Sequence, residues 1–199
     1  MSKPHLSDWE SLKRLGRYLL GKTRVVTRYD YQSLPKTVDV TVDTDFAGCL
    51  TTRKSTSGGI VKIGDHCVKT WSSNQAVIAL SSGEAEFYGI VKGATQAMGV
   101  AGILEDLGAS MLISLSTDSS AAKGIANRRG LGKMRHIELS ELWVQDRVAK
   151  GQITIWKIPG IENSSDSLTK HSSGERIAQT LFFCNQVVEI GRHSIMPSV

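Results

Sequence analysis

The stretch Ser81-Ser82-Gly83-Glu84-Ala85-Glu86-Phe87-Tyr88 decides how the chain is read. It opens the longest helical pattern in the sequence. Ile90, Val91, Ala94, Ala97, Met98, Ala101 and Leu104 continue it, and their spacing lines one apolar face as far as Gly108. Ser81 with Glu84 three residues on is a capping box, in which hydroxyl and carboxylate each satisfy a backbone N–H left over at a helix start. Glu84 thereby has a structural role, and Glu86 in the first turn is left free for chemistry. Taken alone, both acids fit a solvated first turn, where the helix dipole favours negative charge. Their setting argues otherwise.

Upstream, Thr37-Val38-Asp39-Val40-Thr41-Val42-Asp43 alternates strictly, as a half-buried strand does, and ends in an acid. Residues 58–63 and 67–71 read as two more strands about a turn at Gly64-Asp65-His66. Three strands without an intervening helix imply an antiparallel meander. Downstream, residues 111–117 form a strand pattern ending in Asp118, and Ser119-Ser120-Ala121-Ala122 starts a short helix. A helix over 136–149, a last strand over 153–156 and a final helix opened by Asn163-Ser164-Ser165-Asp166-Ser167-Leu168 complete the order. This order predicts an α/β fold, a mixed five-stranded sheet of three antiparallel strands plus parallel ones, flanked by helices.

Asp43, Glu86, Asp118 and Asp166 then fall at strand ends and helix starts, where sites gather on such a sheet. Any one of them alone reads as a cap or a surface charge. Four converging carboxylates repel one another and hold their protons unless cations neutralise them. Hard oxygen ligands suit Mg²⁺ or Mn²⁺. Two such ions about 4 Å apart would clamp the attacking water and the leaving oxygen of a phosphodiester.

At 199 residues the chain fits one domain with appendages. The expected boundaries are a basic appendage at 1–35, the central domain at 37–170 and a tail at 171–199 with one helix over 174–189. In the appendage, residues 7–20 read as a helix with Ser7 as N-cap, Gly21 as stop and a stripe of Trp9, Leu12, Leu15, Leu19 and Leu20. A strand-like run follows over 25–31. This piece is too small to fold alone and is expected to lean on a neighbouring domain. Of the net charge of +5, most lies in residues 1–30, where Lys3, Lys13, Arg14, Arg17, Lys22, Arg24 and Arg28 face only Asp8, Glu10 and Asp30. A basic appendage on a near-neutral body points to a polyanionic partner.

A second basic run, residues 123–135, holds Lys123, Arg128, Arg129, Lys133 and Arg135 without an acid. Arg128, Arg129, Lys133 and Arg135 are expected to contact phosphates; a solvated loop is the plainer reading. Cys49, Cys67 and Cys184 lack ligand-like spacing, which predicts reduced thiols in an intracellular protein. Neither a signal peptide nor a membrane span is expected. Trp71, Trp143 and Trp156 are expected in the core.

Seven motifs together resemble the ribonuclease H domain at the C-terminal end of copia-like retrotransposon polyproteins. They are Asp43-Thr44-Asp45-Phe46-Ala47-Gly48, Arg53-Lys54-Ser55-Thr56-Ser57-Gly58, Trp71-Ser72-Ser73, Ala79-Leu80-Ser81-Ser82-Gly83-Glu84-Ala85-Glu86, Thr117-Asp118-Ser119-Ser120-Ala121, Arg135-His136-Ile137 and Asp166-Ser167-Leu168-Thr169-Lys170. The resemblance covers about residues 37–170, and residues 8–30 look like the connection to the reverse transcriptase part. It implies an Asp-Glu-Asp-Asp site for two Mg²⁺ or Mn²⁺ ions, carried by Asp43, Glu86, Asp118 and Asp166. Asp45 and Glu84 compete for two of those places. Asp43 is preferred because it ends the alternating strand, and Glu86 because Glu84 has the capping role. Cellular relatives carry a His before the last Asp, whereas residues 158–165 here contain none; His136 is the nearby alternative. The implied activity is cleavage of the RNA strand of RNA–DNA hybrids, with the reverse transcriptase part as partner. A polyprotein remnant that binds nucleic acid without cutting it would look much the same.

Overall fold

The computed structural model describes residues 4–132, 137, 139–191, 193 and 195. The chain runs α1 (Leu6–Leu20), β1 (Arg24–Thr27), β2 (Thr37–Thr44), β3 (Thr56–Ile63), β4 (His66–Asn74) and the long helix α2 (Ser82–Asp106). Then come β5 (Leu112–Thr117), α3 (Ser120–Asn127), α4 (Trp143–Ala149), β6 (Ile153–Lys157), α5 (Gly174–Phe183) and β7 (Gln186–Glu189). Short 3-10 turns lie at Leu139–Leu142, Gly160–Glu162 and Ser164–Leu168.

Five strands form one sheet in the order β4-β3-β2-β5-β6. The β2–β3 and β3–β4 pairs are antiparallel, and β5 runs parallel to both β2 and β6. This is the mixed five-stranded sheet, three antiparallel strands plus parallel ones, that the element order predicts. Its core is Val38, Val40, Val42, Phe87, Ile90, Ala94, Leu115, Val144, Ile153 and their neighbours. Each large apolar side chain buried there contributes about 1.5–3 kcal/mol.

β2 departs from the half-buried strand its alternation predicts. From Val40 through Thr44 every residue is buried. The reason is its central place: strands flank it on both sides, α2 covers one face and the Ser164–Leu168 turn packs against it as well. Two glycines let α2 approach so closely. A Cβ on Gly89 would lie 2.5 Å from Thr44 Oγ1, and one on Gly93 would lie 2.5 Å from Val42 Cγ1. Glycine is the residue that permits such backbone approach.

The final helix expected from Asn163 is instead a five-residue 3-10 turn. Asn163, Ser167 and Thr169 all use side chains on backbone groups there, and such bonds compete with α-helical ones. The helix expected over 136–149 is α-helical only at Trp143–Ala149, after a 3-10 turn, and His136 lies outside the described residues. In the tail, the helix expected over 174–189 stops at Phe183. The chain reverses at Asn185 in the left-handed region (φ 53°), and the β-branched pair Val187-Val188 continues as a strand.

That strand, β7, pairs antiparallel with β1, setting Val26 opposite Val187 and Val25 opposite Val188. The link after β1 leans on the β3–β4 hairpin. Gln32 donates to Ile63 O (2.8 Å) and accepts from Asp65 N (3.0 Å), and the Tyr29 hydroxyl donates to Cys67 O (3.0 Å). α1 is capped at His5 rather than Ser7, with the His5 N–H donating to the Asp8 carboxylate (2.8 Å). Its apolar stripe is exposed, from Trp9 to Leu20. Trp71 and Trp143 pack at the core margin, but Trp156 is 54% exposed and is no core residue. Among the described residues no helix is long and apolar enough to cross a membrane.

Candidate active site

The acids gather at the β2 end of the sheet. Asp43, next to last in β2, is 1% exposed. β5 pairs with β2 only from Thr37 to Thr41, so beyond that point the β2 carbonyls need other donors. The Ser165 hydroxyl donates to Thr41 O (2.8 Å) and the Asn163 amide to Val42 O (3.0 Å). Both are buried, and they bring the 163–170 segment onto Asp43. The Thr169 hydroxyl donates to Asp43 Oδ2, and Lys170 Nζ stands 3.5 Å from the same oxygen while pairing with Asp166.

Opposite lies the first turn of α2. The Ser81 hydroxyl accepts the Glu84 N–H (3.2 Å), as a capping box requires. The Glu84 carboxylate accepts from Leu80 N (3.0 Å), one residue before the N-cap, and from the Tyr88 hydroxyl (3.1 Å). It is buried, and its capping task is therefore real but shifted by a residue. Glu86 turns towards Asp43 and Asp118, and each of the three offers an oxygen within 4.8 Å of the others. Asp118 follows β5 directly, where Ser119 caps α3 by accepting from Ala122 N (3.2 Å).

Asp166 stands outside that trio. It lies beside Asp43, close enough to disfavour the Asp43 charge, and is engaged by Lys170. Asp45 serves the loop instead, accepting the Thr56 N–H. The 72–75 segment also matters to the site. The Gln75 amide donates to Ser57 Oγ (2.9 Å) and Ala85 O (2.8 Å), pinning the start of α2 to β3.

Electrostatics follow from this geometry. Burial pushes the Glu86 carboxyl up to about 8, with Asp43 and Asp118 adding to the effect. Glu86 Oε2 is buried without a hydrogen-bond partner. Burial also raises Asp43, opposed by the Thr169 hydrogen bond and the Lys170 charge. For Lys170 burial works against the charge, but Asp166, Asp43 and Asp118 outweigh it and the pKa is raised. Three converging carboxylates, one with an orphaned buried oxygen, are a donor set suited to a hard divalent cation.

The basic run is organised by a residue the charge pattern does not reveal. Buried Gln145 accepts from Gly130 N (2.8 Å) and donates to Ile125 O (2.9 Å) and Gly130 O (3.1 Å). Arg128 folds back to donate to Leu131 O (2.6 Å), whereas Arg129 is exposed. Lys133 and Arg135 lie outside the described residues.

No family model matches the chain. The retrovirus-related Pol polyprotein from transposon RE2 of Arabidopsis thaliana is 26% identical over 210 residues, spanning all of this chain and 13% of that protein. The corresponding polyprotein from transposon TNT 1-94 of Nicotiana tabacum is 27% identical over 172 residues, covering 85% of this chain and 13% of its own length. The chain thus spans about an eighth of the length of these two polyproteins. Among solved structures, the N-terminal ribonuclease H domain of a Mycobacterium tuberculosis protein is similar at 18% identity and a TM-score of 0.48, over 74% of this chain and 99% of that one.

Proposed function

We propose that this chain, which is similar to the retrovirus-related Pol polyproteins of plant transposons, is the ribonuclease H part of such a polyprotein and a metal-dependent endonuclease for the RNA strand of RNA–DNA hybrids. The observation that carries the reading is the trio of carboxylate oxygens within 4.8 Å, with Glu86 Oε2 left unpartnered. Asp43, Glu86 and Asp118 would hold Mg²⁺ or Mn²⁺, with Asp166 completing a two-ion set. Bound ions supply charge neutralisation at the scissile phosphodiester and an acidified water.

The protein's own part is positioning. Thr169 and Asn163 fix the Asp43 carboxylate, and Gln75 fixes the helix start that carries Glu86. Glu86 would have to give up its proton to hold a cation, because ligand carboxylates must be ionised. The hybrid is held by backbone contacts, and its groove shape and 2′-hydroxyls distinguish the RNA strand. Arg129, with Lys133 and Arg135, is proposed for the phosphates. The exposed stripe of α1 is proposed to meet the reverse transcriptase part of the same polyprotein, inside the cell. The domain boundaries at 1–35, 37–170 and 171–199 are proposed with it.

Titrating Mg²⁺ and Mn²⁺ into the full chain with a labelled hybrid tests the proposal. RNA-strand cleavage should appear with the ion, vanish with a chelator and be absent on DNA duplex. Hybrid binding at every ion concentration without cleavage would instead identify a non-cutting remnant.

A further inference from the structure

Away from the acids, Cys67 on β4 and Cys184 at the end of α5 share a small buried cluster with Ile60, closed by Leu168 and Phe183. With Ile60 they are the three buried members of that cluster. Lys62 pairs with Cys67 across the β3–β4 ladder, and its ammonium lies 4.4 Å from the centre of the Phe183 ring. A cavity of about 610 Å³ is lined by Lys62, His66 and Phe183, chain neighbours of the pair. Neither thiol takes part in the proposed nuclease chemistry, and Cys49 sits elsewhere, in the loop after β2.

We propose that Cys67 and Cys184 are a reversible oxidation site, which a peroxide converts to a disulfide joining the sheet to the C-terminal α5–β7 segment. The Cys67 thiolate attacks one peroxide oxygen, the O–O bond breaks, and Cys67 becomes a sulfenic acid as hydroxide leaves. Cys184 sulfur then attacks the Cys67 sulfur, the S–O bond breaks, and the second oxygen leaves as water. Two thiols and one hydrogen peroxide give one disulfide and two waters, so the sulfurs lose the two electrons that the peroxide gains. The hydrogen bond from Cys184, opposed by burial and aided by Lys62, holds the Cys67 thiol down at about 7 from its ordinary 9.0. A thiolate is therefore available near neutral pH, and the thiolate is the nucleophile. Intracellular disulfides of this kind are typically transient and redox-sensing.

The bond would brace the acid site from behind. α5 holds the 163–168 segment through Thr180 Oγ1 to Ser167 Oγ (2.6 Å) and Arg176 to Asn163 O (2.7 Å), and Asn163 in turn holds β2 beside Asp43.

The test uses the full chain treated with dilute hydrogen peroxide, unfolded, alkylated and weighed. Free thiols should fall from three to one, with a loss of two hydrogens in mass and a proteolytic crosslink between the Cys67 and Cys184 peptides. A dithiol reductant should restore all of them. Cys49→Ser should behave as the parent, and Cys67→Ser or Cys184→Ser should give no such species. A crosslink through Cys49, or oxygen adducts on single cysteines alone, overturns the proposal. So does an unaltered protein at peroxide levels that oxidise free cysteine. The parent measurement decides the matter even if a variant fails to fold.

Discussion

Asp43 at the end of β2 and Glu86 in the first turn of α2 face each other in one site, yet their surroundings are opposite. Asp43 is surrounded by donors: Thr169, Lys170 and the Asn163 amide all reach it. Glu86 faces Asp43 and Asp118 and keeps one oxygen unpartnered. A carboxylate held by donors is already in place, whereas an orphaned one makes the ion-free fold less stable until a cation arrives. The strand end supplies rigidity and the helix start supplies the unmet demand for charge.

The largest effects should come from the acids themselves. Asp43→Asn and Glu86→Gln should each reduce hybrid cleavage by more than the roughly 10- to 100-fold that loss of a ligand-orienting partner costs. Their ion-free melting temperatures should part company, rising for Glu86→Gln and not for Asp43→Asn. A rise in both would erase the distinction. Next, Thr169→Val removes a donor from the Asp43 side only, and should lower ion affinity by about 10-fold, read by calorimetry. On the helix side, Gly89→Ala forces a methyl against Thr44 Oγ1. It should cost about 1–3 kcal/mol in denaturant unfolding, and unchanged stability would mean that α2 is not seated by that contact.

A smaller effect lies in pH. Glu86 binds its proton more tightly folded (about 8) than unfolded (4.5). The ion-free protein should therefore lose stability as pH rises from about 4.5 to 8, since the unfolded chain releases that proton first. Raised Asp43 works in the same sense. Melting curves of Glu86→Gln should fall less steeply over that range, and an identical slope would place the burden elsewhere. The smallest effect separates two arginines. Arg129→Ala should flatten the slope of log affinity against log salt by roughly 0.7–0.9. Arg128→Ala should alter the slope less, because its guanidinium already serves Leu131 O.

Much of this was legible in the residues, and the limits are physical. The acid ending Thr37–Asp43 and the capping pair before Glu86 are local patterns, each spanning a few positions. The structure brings Asp43, Glu86 and Asp118 together from them and leaves Asp166 to one side. Asn163 and Ser165 carry no such pattern, because their task is to satisfy β2 carbonyls more than 120 residues away. Gly89 and Gly93 look like flaws in a helix until the strand beneath them is known. The tail misleads for the converse reason: apolar residues from Phe182 to Val188 suit a helix, and only the partner strand β1 makes Val187-Val188 extended.

That pairing has a consequence for how the chain is made. Arg24 and Glu189, which meet across the β1–β7 ribbon, are 165 residues apart. At synthesis speeds of roughly 5–20 residues per second, β1 waits some 10–30 s for its partner to be translated. During that wait the sheet can close around α2 through contacts of much shorter range. The ribbon is then the last latch to engage, and until it does the Val25-Val26 edge is open to any strand that reaches it first.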